Sequence, residues 1–492
     1  MATKLAAGAL EALSSRASVP SYRRGDLRPG ILHFGVGNFH RAHQAVYLDE
    51  LFNRGTDLDW AIVGASVREA DAPMRAKLQR QDWLTTIVEQ ESDSISARVT
   101  GPMIDYIRPG DNARLLDRLA DPAIRIVSLT ITEGGYFIDP ASGVFNSDDP
   151  EILRDARNME APATVFGLIL AGLIRRRESG IPPFTVLSCD NLPGNGHVTA
   201  EAVGGLAALV DPELAAWVKR SVAFPNGMVD RITPATSDRE RCTLAEKFGI
   251  DDDWPVFCES FKQWVLEDHF PGGRPALETV GVLFVENVAP YELMKIRILN
   301  GGHATIAYPA ALMDIHFVHE AMEDPLVRAF LARVEREEIV PVVPPVPGTD
   351  LGGYFELVER RFANPRIGDT ITRLCFDGSN RQPKFILPSA ADRLRAGQGV
   401  TGLALVSALW ARYCAGETES GRAIAPNDPN WAQLQEAAVK ARADPGAFLG
   451  LTHIFGTLSQ EPAYVASFTS ALSRIWSTGT RETLRDYLSS PS

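Results

Sequence analysis

Two hydrophobic rhythms divide the chain. From about residue 31 to residue 285, short apolar runs of strand length alternate with stretches that carry apolar residues at helical spacing. Ile31 to Phe34, Trp60 to Val67, Ile124 to Thr132 and Phe184 to Cys189 read as buried strands. Helices follow through Ala45, Leu48 and Leu51, over Ala163 to Glu178, and over His197 to Val222. A further strand-rich section ends at Leu283-Phe284-Val285. Residues 1–29 read as a helical lead-in followed by a polar turn. After about residue 286 the strand rhythm fades and helical patterns dominate. The Pro-rich loop Pro341 to Gly348 and an irregular stretch, Cys375 to Pro388, interrupt them. Strands alternating with helices predict a parallel sheet covered on both faces, where ligands gather at the carboxyl ends of strands.

The first strand runs into Gly35-x-Gly37 and then a helix. Strand, tight glycine turn and helix N-terminus is the order a dinucleotide fold requires, because the turn lets backbone amides approach a pyrophosphate. His40 stands where the third glycine of G-x-G-x-x-G is usual, with Ala42 two residues later. The candidate coenzyme residues are Phe34, Gly35, Val36, Gly37, Asn38, Phe39 and Arg41. An acidic residue past the second strand binds the ribose diol and repels a 2′-phosphate. Asp71 is the candidate there, with Glu69 as alternate and Arg68 beside them. The predicted fold class is α/β: a Rossmann-type doubly wound sheet in an N-terminal domain, residues 1–285. A mainly α-helical domain, residues 286–492, follows.

One helical stretch of the second domain is chemically unusual. Tyr291 to Pro309 reads Y-E-L-M-K-I-R-I-L-N-G-G-H-A-T-I-A-Y-P. In a regular helix Lys295, His303 and Asn300 fall at roughly 0°, 80° and 140° around the axis. Leu293, Met294, Ile296, Ile298, Leu299 and Ile306 lie nearly all round it, the mark of a buried helix. Burying an ammonium, a carboxamide and an imidazole together is costly unless they are paired or have work to do. A poorly solvated lysine can serve as a base near neutral pH, and an asparagine can donate to a carbonyl or alkoxide oxygen. Glu133 and Asn191 follow strand ends, where site residues and plain turn residues both occur. Arg373, Arg381 and Lys384 lie close in sequence, either as a solvated surface or as a hold on an oxygen-rich substrate.

Composition narrows the partners. The 492 residues carry a net charge of −13, which argues against nucleic acid and anionic membranes. The N-terminus shows no clear signal peptide, and the longest apolar run, Ala163 to Ile174, is too short to span a bilayer. Five cysteines are scattered with no C-x-x-C, which fits reduced thiols in a cytoplasmic protein. The pairs His40/His43 and His316/His319 have no companion ligands, so no metal site is expected. No obligate protein partner is evident.

Five motifs converge: G-x-G-N-F-H-R-A-H at 35–43, T-I-T-E-G-G-Y at 130–136, S-C-D-N-L-P-x-N-G at 188–196, F-P-x-x-M-V-D-R-I-T-P at 224–234 and K-x-x-x-x-N-G-x-H at 295–303. In this order they resemble the polyol-specific long-chain dehydrogenases, from about residue 30 to past residue 390. The resemblance implies NAD-dependent, metal-independent oxidation of a secondary alcohol, D-mannitol to D-fructose and the reverse, in a cleft between the two domains. It makes Lys295 the general base, and Asn191 and Asn300 the pair that polarises the substrate oxygen. It makes His303 and Arg373 substrate-binding residues, Asp230 a site residue of the signature, and Glu133 a carboxylate for proton passage. The chain departs from the pattern at Arg381, where a substrate-contacting lysine is expected, and at Ala70-Asp71, where a carboxylate pair is expected. Fructuronate or tagaturonate reduction, with Arg373, Arg381 and Lys384 holding a carboxylate, is the alternative within the family. D-arabinitol is a further candidate substrate, and a non-catalytic NAD-binding protein is the alternative outside this activity.

Overall fold

The computed structural model describes residues 2–139 and 143–490. It divides into two compact units, Met1–Ala289 and Pro290–Ser492. The first is organised around a five-stranded sheet: β1 (Pro29–Phe34), β2 (Ala61–Ala65), β3 (Met103–Ile107), β4 (Ile126–Leu129) and β5 (Thr185–Ser188). The order is β3-β2-β1-β4-β5 and every pairing is parallel. Chain direction therefore reverses its winding between β1 and β4, the point at which doubly wound sheets bind ligands.

Strand alternation feeds two cores. Leu32, Phe34, Val63, Val127 and Val186 face one of them, with helices α3 (Val165–Glu178) and α4 (Asn195–Val210). Ile31, Ile62, Ile126 and Leu187 face the other, with Leu48, Leu51 and Phe52 of helix α2 (Gln44–Phe52). Period-two side chains on strands covered from both sides explain why these runs are apolar throughout. One two-stranded pairing and two three-stranded sheets accompany the five-stranded sheet. One joins Thr85–Gln90, Ile95–Thr100 and Val256–Glu259, and the other Gly227–Asp230, Gln263–Glu267 and Leu283–Val285.

Several expectations need correction here. The helical lead-in shrinks to Leu10–Leu13 and short turns, and Thr3–Lys4 pairs with Ile250–Asp251 as a strand. The helix expected over His197 to Val222 is two helices. It breaks at Asp211-Pro212, where Asp211 caps the Glu213 amide and proline takes the first helical position. The strand-rich section contains a helix, Asp238–Phe248, started by a capping box between Ser237 and Glu240.

The regular elements of the second unit among its described residues are all helices, apart from isolated bridges. The stretch expected to be irregular, Cys375 to Pro388, is instead helix: α7 (Ile371–Cys375), α8 (Gly378–Phe385) and the start of α9 (Leu387–Arg395). Proline misled the sequence reading. Pro388 sits in the first turn of α9, where no amide is needed, and Pro383 is tolerated inside α8.

The polar stretch also departs from a regular helix. An α-helical start, Ala289–Met294, gives way to a π-helix over Lys295–Asn300, and α5 (Gly301–Leu312) continues it. Bonding of the i→i+5 kind brings residues five apart towards one side, whereas an α-helix would separate Lys295 and Asn300 by about 140°. Arg297 anchors this turn, with one guanidinium nitrogen 2.7 Å from Asp392 and another 3.1 Å from the Ser389 hydroxyl, both on α9. Gly302 sits where a Cβ would come within 3.3 Å of Glu335 Oε1 and of the Phe362 ring, so a larger residue would press these neighbours outward by a few tenths of an ångström.

Candidate active site

In the first unit a cavity of about 460 Å³ opens at the carboxyl ends of β1, β2 and β4. Phe34, Gly35, Val36 and Gly37 form its floor, Ser66, Arg68 and Asp71 one wall, and Thr130, Ile131 and Thr132 another. Gly35 has φ +91, and a Cβ there would lie 2.0 Å from the Thr130 carbonyl oxygen. The turn therefore exposes bare backbone to the cavity, the condition for cradling a pyrophosphate. Asp71 accepts a hydrogen bond from the Ser66 hydroxyl, which fixes its carboxylate at the wall where a ribose diol would be held. The residues present fit a dinucleotide.

Not every expected coenzyme residue lines this cavity. Asn38, Phe39, Arg41 and Glu69 stand outside its lining. Arg41 is buried and turned inward. Its guanidinium donates to the Trp254 carbonyl, to Asn38 Oδ1 at 2.7 Å and to the Gly37 carbonyl at 3.3 Å. It props the start of the helix instead of meeting solvent. Sequence reasoning missed Ser66, Thr130, Thr132 and Thr164, all on the lining. A small hydroxyl residue just past each strand end was the only signal for the first three.

Glu133 and Asn191 follow β4 and β5, which are neighbours in the sheet. Asp190 holds their two loops together. Its carboxylate accepts from the Ile131 and Thr132 amides, both at 2.9 Å, and from the Tyr136 hydroxyl at 2.7 Å. Burial raises the Asp190 pKa, while these donors favour the charged form. The bonds also hold Thr132 at φ 65 and ψ 162, a conformation that costs a non-glycine residue energy and is kept only where surroundings impose it. Asp230 ends the strand Gly227–Asp230 and is buried. Its neighbour Arg231 is structural, with a guanidinium 2.6 Å from Glu89 and 2.6 Å from the Ala42 carbonyl.

In the second unit Lys295 is 7% exposed, and Asn300 is half-buried at the far end of the π turn. His303 lies one turn further on, stacked on Phe362 with ring centroids 4.1 Å apart and planes 15° apart. Burial pushes its imidazole well below the usual range, and the cations of Arg373, Arg361 and Arg381 push the same way. The ring is neutral at physiological pH, and its Nε2 is buried without a hydrogen-bond partner. An unpaired buried nitrogen costs about 1–3 kcal/mol unless something occupies it, which suits a substrate hydroxyl. Arg373 is paired with Asp369, its Nε 2.6 Å from the carboxylate, and Arg381 donates to the Leu374 carbonyl at 2.8 Å. Lys384 is exposed and is absent from the charges felt by His303. Among the described residues no group of three or more metal-ligating side chains comes together, and no helix is long and apolar enough to cross a membrane.

Comparison with known proteins gives matching results in both units. Residues 29–279 match the mannitol dehydrogenase Rossmann domain, and residues 287–476 match the mannitol dehydrogenase C-terminal domain. The chain is 58% identical to a mannitol 2-dehydrogenase of Cereibacter sphaeroides, over 95% of this chain and 98% of that protein. It is 40% identical to one of Phaeosphaeria nodorum, over 96% and 83% respectively. Among solved structures it resembles the Pseudomonas fluorescens mannitol 2-dehydrogenase in ternary complex with NAD and D-mannitol, with TM-score 0.87 and 44% identity over 99% of this chain and all of that one. It also resembles a substrate-free D-sorbitol dehydrogenase, with TM-score 0.91 and 34% identity over 98% of this chain and all of that one.

Proposed function

This chain belongs to the mannitol dehydrogenase family, and we propose that it oxidises D-mannitol to D-fructose with NAD and catalyses the reverse reduction with NADH. The observation that carries the proposal is the composition of one distorted helical turn. A buried lysine, an asparagine five residues on and a neutral histidine with an open Nε2 are three groups suited to an alcohol. Gly35, Val36, Gly37 and Asp71 would hold NAD, which would supply the acceptor for the hydride of the alcohol carbon. Lys295, as the free amine, takes the hydroxyl proton, and as the ammonium returns it to the ketose oxygen. Asn191 and Asn300 donate to that oxygen as negative charge develops on it, the role of an oxyanion hole. His303 holds a neighbouring hydroxyl through Nε2. Glu133 is the carboxylate that serves the proton's passage to water. Asp230, Arg373 and Arg381 contact the remaining hydroxyls. The four buried free thiols fit a reducing compartment such as the cytoplasm.

The cations favour a polyol over a hexuronate. Arg373 is already paired with Asp369, Arg381 gives one of its nitrogens to the Leu374 carbonyl, and Lys384 is exposed. A substrate carboxylate would have to compete with Asp369 for Arg373. The test is absorbance at 340 nm with chelator-treated protein. D-Fructose with NADH and D-mannitol with NAD would be run beside D-sorbitol, D-arabinitol and fructuronate, each repeated with the phosphorylated coenzyme. Turnover of mannitol and fructose above the others is the expected result. Preference for fructuronate, or activity only with added metal, would overturn it.

A further inference from the structure

We infer that His33 is the positioning residue of the coenzyme turn: a buried imidazole that holds the Gly35 carbonyl inward so that the next amide faces the cavity. The inference rests on the NAD reading above, and nothing in the chemistry of substrate oxidation requires it.

His33 is the penultimate residue of β1 and is fully buried. Its Nδ1 lies 2.8 Å from the Ser128 hydroxyl on β4, which also meets the Gln44 carboxamide at 3.1 Å. Its Nε2 lies 3.0 Å from the Thr130 hydroxyl and 3.2 Å from the Gly35 carbonyl oxygen. Thr130 spends its only hydroxyl hydrogen on that same carbonyl, at 2.6 Å. The hydrogen between His33 and Thr130 must then come from the ring, so Nε2 carries it, and the single Ser128 hydroxyl hydrogen is shared between Nδ1 and Gln44 Oε1. Burial keeps the ring neutral, with a pKa lowered to about 3, so this arrangement holds throughout the physiological range.

The Gly35 carbonyl is consequently held from three sides, by His33 Nε2, Thr130 Oγ1 and the Gly37 amide at 2.7 Å. In a trans peptide the N–H points opposite to the C=O. Fixing the Gly35 oxygen towards β4 therefore fixes the Val36 N–H the other way, towards a cavity that Gly35, Val36 and Gly37 all line. The opposite face of the His33 ring stacks on His40, with centroids 3.4 Å apart and planes 14° apart. His40 belongs to the short helix α1 (Asn38–Ala42) that follows the turn. One ring thus couples the strand before the turn, the carbonyl within it and the helix after it. Preorganising a backbone donor in this way strengthens binding by removing the cost of ordering it.

The experiment measures NADH affinity by fluorescence titration, together with Tm and kcat at saturating coenzyme. The variants are His33→Gln, His33→Asn, His33→Phe and Ser128→Ala. Glutamine puts a donor near the Nε2 position, asparagine reaches only the Nδ1 position, and phenylalanine keeps the ring stack alone. The expected result is NADH binding within about 3-fold of the parent for His33→Gln, and weakening by about 10-fold for His33→Asn and His33→Phe. Ser128→Ala, which releases Nδ1, weakens it by about 3-fold. In all of them kcat at saturation stays within about 3-fold, because the chemistry lies elsewhere. If His33→Asn and Ser128→Ala bind NADH as the parent does, or if glutamine and asparagine lose Tm and affinity alike, His33 is only a packed core residue. Should His33→Phe fail to fold, the Gln/Asn pair and Ser128→Ala still decide. Failure of the parent itself to bind NADH is a different outcome, which overturns the coenzyme reading and this inference together.

Discussion

At the turn after β1 the cavity is met by backbone, whereas over Lys295–His303 the chain offers side chains. The turn carries no charge of its own: Phe34, Gly35, Val36 and Gly37 line the space, and a Cβ on Gly35 would strike the Thr130 carbonyl at 2.0 Å. The second region is the reverse. Its glycines serve packing, and its chemistry sits on Lys295, Asn300 and His303, set by a π turn that Arg297 pins to Asp392 and Ser389. A cradle of amides recognises a shared coenzyme group and tolerates little change of shape. A set of side chains on a helix fits a particular substrate. Binding and chemistry should therefore separate when each region is altered alone.

The largest effect is expected at the base. Lys295→Ala should lower kcat by about 10³-fold in both directions, within the range that removal of a general acid–base spans. A loss below about 10-fold would move the base to another residue. Gly35→Ala attacks the other side of the comparison. The added Cβ meets backbone, so NADH affinity should fall by about 10-fold or more, with a lower Tm and little change in kcat at saturation. An intact KM for NAD in that variant would dissociate the cavity from the coenzyme. Asp71→Ala is milder and affects selectivity. NAD should bind about 10-fold more weakly, and the ratio of NAD to NADP activity should fall. An unchanged ratio would point away from Asp71 as the ribose ligand.

The smallest effect concerns pH. His33 is held at a pKa of about 3 against 6.5 for a free imidazole. A group whose folded pKa is depressed contributes stability above its unfolded pKa and loses it as pH falls. Below pH 6.5 the contribution declines by up to about 1.4 kcal/mol per pH unit. Asp49, raised to about 6, works in the opposite sense in part of that window. The clean comparison is thus between the parent and His33→Gln. The Tm difference between them should shift in favour of His33→Gln from pH 7.5 to 5.5, and a constant difference would show that the His33 pKa is not depressed in the fold.

The same contrast governs what the sequence reveals. Strand, glycine turn and helix are written in the spacing of apolar residues and in two glycines, because only glycine tolerates the backbone path. Four of the five parallel strands, all but Met103–Ile107, and the turn at Gly35 are legible for that reason. The carboxylate of Asp71 was readable too, because its place follows from strand order. The π turn was not. An extra residue in a helix changes no composition and leaves the apolar pattern nearly intact, so Lys295 and Asn300 were placed about 140° apart on a regular helix. Asp190 carries no signal in the sequence beyond its place before Asn191, although it ties the loop of Glu133 to that of Asn191. Arg41 was read as a coenzyme contact because it stands in the glycine motif, yet its partners come from residues more than 200 positions away as well as from its own helix. Prolines at 383 and 388 suggested a loop where two helices stand.

The central claim is that the coenzyme cavity and the general base belong to different units of this chain. The most direct measurement is a fluorescence titration of Lys295→Ala with NADH, beside its turnover of D-fructose. The account predicts an NADH dissociation constant within about 2-fold of the parent while turnover falls by about 10³-fold. If affinity falls in step with turnover, Lys295 is part of the coenzyme site and the division is wrong.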